Sequence, residues 1–158
     1  MSAPDQPMRR RDRALDQDAA LDILRKAEWG VLATVDAEGC PYAVPMNHVV
    51  KDGALILHSA KDGHKLRNLA ANPRVSYCVV TEAEALPLEL ATRYESAVAF
   101  GTAALVVDEA ERHDALLALG RRFAPDHPEV VAREIAKDGP RTAVLRVRVE
   151  RLTAKARR

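Results

Sequence analysis

Short segments rich in β-branched residues recur along this chain, and each ends at a turn signal. The segment 31–35 is followed by Asp36-Ala37-Glu38-Gly39, and the extended pattern of 42–50 is followed by Lys51-Asp52-Gly53. Glycine in such turns adopts the positive φ that tight hairpins need. The pattern predicts a meander of antiparallel strands, completed by a strand over 54–59.

The second half of the chain contains three more segments of this kind. They lie at 75–81, 93–107 and 143–150, and the last alternates apolar with charged residues. Gly101 interrupts the middle segment and predicts a bulge or a sharp bend. Six strands separated by short helices predict a mainly β fold: a closed or nearly closed antiparallel barrel with peripheral helices, rather than a doubly wound parallel sheet.

Four helices are predicted between the strands from caps, apolar periodicity and stop signals. They run from Asp16 to Trp29-Gly30, from Asp62-Gly63 to Asn72-Pro73, from the capping box Asp108-Glu109-Ala110-Glu111 to Pro125, and from Pro128 to Gly139-Pro140. The segment from Glu82 to Glu89 contains Pro87 and three glutamates, so it is predicted to be an acidic loop.

Size and charge restrict the class of protein. The 158 residues predict a single domain, 1–158, and a net charge of +1 provides no general attraction for nucleic acid or an anionic membrane. No apolar run approaches the roughly 20 residues that cross a bilayer, and a cytoplasmic location is expected. Residues 1–13 hold an arginine run and are expected to form a flexible or partner-contacting arm. Cys40 and Cys78 are expected to be reduced thiols.

The segment His58-Ser59-Ala60-Lys61-Asp62-Gly63-His64-Lys65 has the composition of an anion site at the start of a helix. Backbone amides in a first helical turn point outward, and Lys65 adds a full positive charge that a phosphate could use. A solvated helix start is the alternative. Basic residues oppose the helix dipole in a first turn, which favours a bound anion.

Pro45 lies inside the second predicted strand, where it cannot donate a hydrogen bond to a neighbour. The strand must therefore be an edge, be bulged or face something other than a strand. Either this segment is a barrel rim, or a planar heterocycle pairs with the backbone of Pro45-Met46-Asn47 and with the amide of Asn47.

His58 could act as an acid, a base or a ligand because its ordinary pKa lies near neutrality, although a lone strand histidine is more often structural. His48 lies on the preceding strand, but no metal-binding spacing accompanies the pair, and no metal site is predicted. The hydrolase elbow, the Walker loop and the G-x-G-x-x-G fingerprint are absent from the sequence.

Taken together, these segments resemble the FMN-binding split-barrel superfamily that includes pyridoxamine 5′-phosphate oxidase, and most closely its nitroimidazole-resistance branch. The resemblance covers most of the chain. It is carried by Arg9-Arg10-Arg11-Asp12-Arg13, Gly39 to Asn47, His58 to Leu66, Asn72-Pro73-Arg74-Val75, Tyr94-Glu95-Ser96 and Phe100-Gly101.

The resemblance implies a six-stranded Greek-key split barrel that forms a homodimer with FMN between the subunits. It implies cofactor contacts from Val44, Pro45, Met46, Asn47, His58, Ser59, Lys61, His64 and Lys65, with the phosphate held at Ser59, His64 and Lys65. His58 matches a histidine linked in that branch to activity on nitro compounds, and is the candidate catalytic residue. FAD and haem are the less favoured cofactors.

Two departures from the oxidases affect the expected substrate and cofactor. After His127 the chain has no histidine, so the arginine and histidine pattern that binds the substrate phosphate in vitamin B6 oxidases is missing. His64 stands where those oxidases carry an arginine, which weakens a bidentate phosphate clamp. The sequence therefore favours an FMN-dependent oxidoreductase acting on a small nitroaromatic molecule; the alternative is a non-catalytic flavin- or haem-binding or sensing protein, with His58 or His48 as axial ligand.

Overall fold

The computed structural model describes residues 6–158, and Met1 to Asp5 of the expected arm lie outside the described residues. The helices are α1 (Gln17–Lys26), α2 (His64–Ala71), α3 (Glu109–Phe123) and α4 (Pro128–Asp138). The strands are β1 (Trp29–Val35), β2 (Pro41–Asn47), β3 (Val49–Lys51), β4 (Ala54–Ala60), β5 (Arg74–Leu86), β6 (Ala91–Leu105) and β7 (Thr142–Arg157). Short 3₁₀ helices occupy Arg11–Arg13, Pro87–Glu89 and Gly139–Arg141.

The strands form one antiparallel sheet in the order β2-β1-β5-β6-β7-β4-β3. The fold is mainly β, a curled split barrel with peripheral helices, which confirms the predicted class. The strand count of six is wrong, since the described sheet has seven strands. The predicted strand over 42–50 divides at His48, because β2 pairs with β1 while β3 pairs with β4. His48 thus joins the two edges of the curled sheet.

The expected acidic loop at Glu82 to Glu89 is also wrong. β5 continues to Leu86 after a bulge between Val80 and Glu82, and only Pro87–Glu89 turns back as a 3₁₀ helix. Glutamates are tolerated in this part of β5 because its side chains are exposed to solvent, while the backbone is paired with β6. There Glu84 forms a salt bridge with Arg93 on the opposite strand.

The first helix ends earlier than predicted, at Lys26, and Trp29 and Gly30 begin β1. Gly30 serves packing rather than helix termination. A β-carbon at this position would lie 2.6 Å from the Cys78 carbonyl oxygen and from the Tyr77 ring. Only glycine lets β1 approach β5 this closely.

Other local predictions are confirmed. The Asp16 side chain accepts a hydrogen bond from the Ala19 amide at 2.8 Å, and Asp108 accepts one from the Glu111 amide at 2.8 Å. Gly101 marks a register shift between β6 and β7. A β-carbon there would lie 1.9 Å from the Arg148 carbonyl oxygen, so the bulge requires glycine.

The buried side chains form two hydrophobic clusters on opposite faces of β4. Leu55 and Leu57 point into the curled sheet and belong to the larger cluster, which α1 closes. Ile56 points outward and belongs to the smaller cluster, which α3 supplies with Leu116 and Leu119. The period-two alternation of β4 therefore places α3 and α4 outside the barrel wall.

The described part of the N-terminal arm contacts the chain's own sheet. Arg151 donates a hydrogen bond to the Gln6 carbonyl at 2.6 Å, the Leu15 amide donates to the Ala154 carbonyl at 3.1 Å, and Ala14 forms a bridge with Lys155. This N-terminal segment therefore lies alongside β7. In the part of the chain described, no helix has the length and hydropathy to cross a membrane.

Candidate functional site

β2 is an edge strand, which is one of the alternatives that Pro45 left open. Pro45 pairs with Val31 of β1, and β2 is the terminal strand of the sheet. Pro41 lies four residues earlier and has the same orientation on the strand. Because proline gives no N–H to β1, both prolines occupy positions whose backbone groups face away from β1, as do those of Ala43 and Asn47. The outer edge of β2 therefore presents backbone amides and carbonyls that no strand pairs with.

The side chains of the predicted strand segment Val44 to Asn47 differ in accessibility. Met46 is buried, and its carbonyl oxygen accepts the hydroxyl proton of Tyr77 at 2.6 Å. Asn47 is exposed, and its Nδ2 donates to the Glu28 carbonyl at 2.9 Å. That bond uses one of the two Nδ2 protons, so the remaining proton and the Oδ1 atom are available to a ligand. Pro45 is exposed and Val44 is half-buried.

The start of α2 carries two lysines that form no salt bridge, although Glu109 lies close enough to Lys61 for the lysine charge to lower the pKa of Glu109. Among the described residues, neither Lys61 nor Lys65 has a carboxylate within salt-bridge distance. The local acid, Asp62, accepts from the Gly63 amide at 2.7 Å and pairs with Arg67 at 3.1 Å. The arrangement is therefore basic overall.

The backbone before α2 is open. Gly63 has φ +142° and is the N-cap of α2, with no side-chain cap. Any other residue would be strained in this conformation. The Ser59 hydroxyl donates to the Ala60 carbonyl at 2.8 Å, and its oxygen can still accept a hydrogen bond.

An aromatic contact joins β2 to the start of α2. The rings of Tyr42 and His64 have centroids 4.1 Å apart and are tilted by 32°. Pro45 follows Tyr42 by three residues, so it lies roughly 10 Å along β2 from the Tyr42–His64 contact. The structure thus brings two of the predicted groups, 44–47 and 61–65, to one region.

His58 lies on the opposite side of β4 from Ser59, beneath α3 and α4. It lines a pocket of about 340 Å³ whose other walls are apolar side chains of the two helices, including Leu116, Leu119, Phe123, Val130, Val131 and Ile135. No other described residue hydrogen-bonds to the ring. Partial burial lowers the pKa of His58, and the nearby charge of Lys65 lowers it further. The His58 side chain is exposed by its accessible area. The lowered pKa favours the uncharged imidazole, which can both donate and accept a hydrogen bond.

His48 has a different environment. It is fully buried, its Nε2–H donates to the Leu24 carbonyl at 2.7 Å, and its Nδ1 lies 3.0 Å from the Tyr77 hydroxyl. Burial lowers its pKa, and Arg122 acts in the same direction. Because the ring is fully buried, with Nε2–H bonded to the Leu24 carbonyl and Nδ1 packed against the Tyr77 hydroxyl, His48 cannot serve as the axial haem ligand that the sequence allowed. Within residues 6–158, no three His, Cys, Asp or Glu residues group in a way that would hold a metal ion.

The sequence profile of the family described as pyridoxamine 5′-phosphate oxidase matches residues 16–156. The chain belongs to this family.

Solved structures of similar proteins agree with the family assignment. A candidate 5-nitroimidazole antibiotic resistance protein from Bacteroides thetaiotaomicron is 26% identical with a TM-score of 0.74, over 90% of this chain and 85% of that one. The FAD and haem binding protein from Mycobacterium smegmatis is 24% identical with a TM-score of 0.75, over 89% and 71%. The haem storage protein HutZ from Vibrio cholerae is 21% identical with a TM-score of 0.68, over 88% and 94%. The comparison with curated proteins found no match.

Some features of this pyridoxamine 5′-phosphate oxidase family member were missed by sequence reasoning. The contact of Tyr42 with His64 was not predicted, although Tyr42 lies in a segment that carries the resemblance. The available signal was an aromatic residue next to Pro41 on the edge strand. The pocket beneath α3 and α4 had no such signal. The apolar periodicity of a helix predicts a buried face, and it does not predict a cavity left between two such faces and a strand.

Proposed function

We propose that this chain binds FMN and uses it to reduce small nitroaromatic molecules. The observation that carries the proposal is the Tyr42–His64 contact, which joins the open edge of β2 to the basic segment at the start of α2. One part offers backbone donors and acceptors to a planar heterocycle. The other part offers unpaired cations to a phosphate.

The residues present fit a flavin phosphate. Lys61 and Lys65 supply two positive charges, the open first turn of α2 supplies amides, and Ser59 supplies a hydroxyl. His64 contributes a weaker contact than an arginine would, and its ring is already held against Tyr42. A bound flavin supplies the electron transfer, and the protein supplies orientation and electrostatics.

In this proposal His58 is the residue that acts on the substrate. Its neutral ring carries one proton on nitrogen, which can hydrogen-bond to an oxygen of a bound nitro group. The lowered pKa keeps His58 uncharged, so it neither repels a cationic substrate nor pairs with a phosphate. Lys65 belongs to the phosphate segment, and its positive charge lowers the pKa of this ring.

We also propose a homodimer, formed through the outer face of β1, β5 and β6. Val31, Cys78 and Val98 lie on this face and belong to neither buried cluster of the described residues, and Val80 is 52% exposed. Val31 pairs with Cys78, and Cys78 with Val98, so the side chains form a continuous apolar band. A second copy of the same face would cover it isologously.

A second candidate function is haem binding without catalysis. His58 favours it, because an accessible neutral imidazole without a protein partner in an apolar pocket is a suitable axial ligand. The relatives from Mycobacterium smegmatis and Vibrio cholerae are named as haem-binding or haem-storing proteins.

The visible spectrum of the purified protein separates these functions. Bands near ~370 and ~450 nm, with FMN identified by mass after release, support the proposal, and a single intense band near ~400 nm supports haem. A protein that stays colourless after FMN addition overturns it. Anaerobic turnover of 2-methyl-5-nitroimidazole by the reduced, FMN-loaded protein then tests the substrate class.

A charge variant tests the phosphate segment. We expect Lys65→Ala to weaken FMN binding about tenfold or more, because it removes a charge-assisted contact. Lys26→Ala, at an exposed lysine in the last turn of α1, is the matched control and should bind FMN normally. Equal effects of the two variants would place the phosphate elsewhere.

Light scattering tests the dimer. Val98→Asp should yield a monomer, because it puts a charge in the apolar band. Val107→Asp is the matched control, since Val107 is 91% exposed and lies outside this band. A wild-type protein that is monomeric would contradict the proposed dimer. The flavin proposal would not be affected, because the visible spectrum tests it separately.

A further inference from the structure

The pocket beneath α3 and α4 is a preformed space with an almost wholly apolar lining. It has a volume of about 340 Å³ and is bounded below by His58 and Thr142, on adjacent strands. The roof consists of the C-terminal half of α3 and most of α4. A volume in this range suits a small organic molecule.

Close packing of the two helices makes the pocket. A β-carbon on Gly120 would lie 2.3 Å from a Cγ atom of Val131, so glycine lets α3 and α4 touch at this point. Beyond it Phe123 remains 44% exposed at the end of α3. The helices pack closely at this point, and the pocket lies between them and the barrel wall at His58 and Thr142.

The polar groups around the pocket are satisfied within the chain, with the exception of His58. The Thr142 hydroxyl donates to the Asp138 carbonyl at 2.8 Å. The Asp138 carboxylate pairs with Arg141, and the Glu134 carboxylate pairs with Arg133. The His58 ring has no protein partner among the described residues. An occupant would thus meet one unpaired hydrogen-bonding group within an apolar surround.

We propose that this pocket binds an uncharged aromatic molecule of one or two rings, with one polar substituent hydrogen-bonded to the His58 ring. The proposal deepens the proposed function, on which it rests in naming the nitro group as that substituent. The apolar body of the ligand would fill the space between Leu119, Val131 and Ile135. Burial against these side chains supplies most of the affinity.

Charge excludes other ligand classes. A carboxylate would have to leave water for an apolar lining that contains two acids, Glu134 and Asp138. The charge of Lys65 reaches the His58 ring, but Lys65 lies outside this lining and would not contact the carboxylate directly. An ammonium group would find both acids already paired. An uncharged ligand pays neither desolvation penalty.

Calorimetric titration of the flavin-free protein tests the pocket directly. The probes are 4-nitrotoluene, p-xylene with the same shape but no polar group, and 4-nitrobenzoate with a charge. We expect saturable binding of 4-nitrotoluene, weaker binding of p-xylene and no binding of 4-nitrobenzoate at the same concentrations. His58→Phe should weaken 4-nitrotoluene about threefold to tenfold and leave p-xylene unchanged, because only the first loses a hydrogen bond.

A filling variant locates the site. Ala124→Leu adds carbon atoms at the pocket wall and should abolish binding of both uncharged probes. Ala132→Leu makes the same substitution on an exposed position of α4 outside this lining, and should bind as the wild type does. If Ala124→Leu fails to fold, Val130→Phe at the half-buried wall carries the same test.

Three results would overturn the inference. They are no binding of 4-nitrotoluene, equal binding by Ala124→Leu and Ala132→Leu, and displacement of 4-nitrotoluene by FMN, which would assign the pocket to the flavin itself. Because the titration uses flavin-free protein, its failure is distinct from that of the proposed function. A protein that binds FMN but no uncharged aromatic loses only the pocket, and one that binds the aromatic but no FMN loses only the flavin.

Discussion

Two histidines ten residues apart show how differently this fold treats the same side chain. His48 is fully buried where β2 gives way to β3, with Leu24 and Tyr77 as partners. His58 lies on the outer face of β4, lines a pocket and has no hydrogen-bond partner among residues 6–158. Burial lowers the pKa of both rings. A lowered pKa by itself therefore does not distinguish a structural histidine from a functional one.

The difference lies in whether the ring nitrogens are occupied. His48 ties the C-terminal turn of α1 to the junction of the two sheet edges, and Arg122 binds the next carbonyls, Lys26 at 3.3 Å and Ala27 at 2.8 Å. These bonds satisfy carbonyls that a helix end leaves free. His58 forms no hydrogen bond with any described residue, so its hydrogen-bonding capacity is available to a ligand.

Truncating each histidine gives the largest expected effect. His48→Ala should lower the free energy of unfolding by at least about 3 kcal/mol, because it leaves a cavity and strands the Leu24 carbonyl without a donor. His58→Ala should change it by less than about 0.5 kcal/mol. Urea unfolding followed by circular dichroism measures both. Similar losses of unfolding free energy in the two variants would show that the two histidines do not differ in structural role.

Two glycines sharpen the same contrast. Gly30→Ala should destabilise the protein by about 2–3 kcal/mol, because its β-carbon would press on the Tyr77 ring and the rigid Cys78 carbonyl. Gly120→Ala meets only the Val131 side chain and gains about 1 kcal/mol of helix propensity, so its net loss should be smaller. Thermal unfolding of the two variants gives the order. The reverse order would show that the α3–α4 contact is the more rigid.

Removal of one hydroxyl tests the hydrogen bonds around His48. Tyr77→Phe should cost about 1–2 kcal/mol, because the Met46 carbonyl loses its donor and His48 Nδ1 loses a neighbour. Tyr42→Phe, at a half-buried tyrosine with no hydroxyl bond among the described contacts, is the control and should be nearly neutral. The midpoints of denaturant unfolding of the two variants measure these costs. An equal cost for the two changes would mean that the buried network contributes nothing beyond packing.

The smallest effect concerns pH. Because the folded pKa of His48 lies below its unfolded value near 6.5, the unfolded chain binds more protons below that pH, and stability falls as the pH drops through the window beneath 6.5. Urea midpoints from pH 7.5 to 5 should show this fall. His48→Gln should remove more of the slope than His58→Gln, because the latter ring is solvent-accessible. A steeper dependence on His58 would contradict the assignment of His48 as the buried group.

Much of the local structure was predictable because its causes are local. Asp16 and Asp108 cap their helices through bonds three residues away. Pro45 lacks an N–H, so it restricts its strand to an edge, a bulge or a neighbour that is not a strand. The seventh strand was not predictable, since the break at His48 depends on which strands neighbour it. The loop predicted from the glutamates at 82–89 was wrong for the same reason, because pairing with β6 makes residues up to Leu86 part of β5.

The sequence by itself determined the family, the mainly β class, the helix caps, the edge position of β2 and the basic segment before α2. These features depend on residue type at fixed spacing, or on backbone chemistry within a few residues. The tertiary structure alone decided that His48 is occupied, that His58 is free, and that α3 and α4 leave a pocket over β4. Such outcomes depend on which distant carbonyl, ring or helix face comes within a few ångströms, and no local pattern encodes that distance.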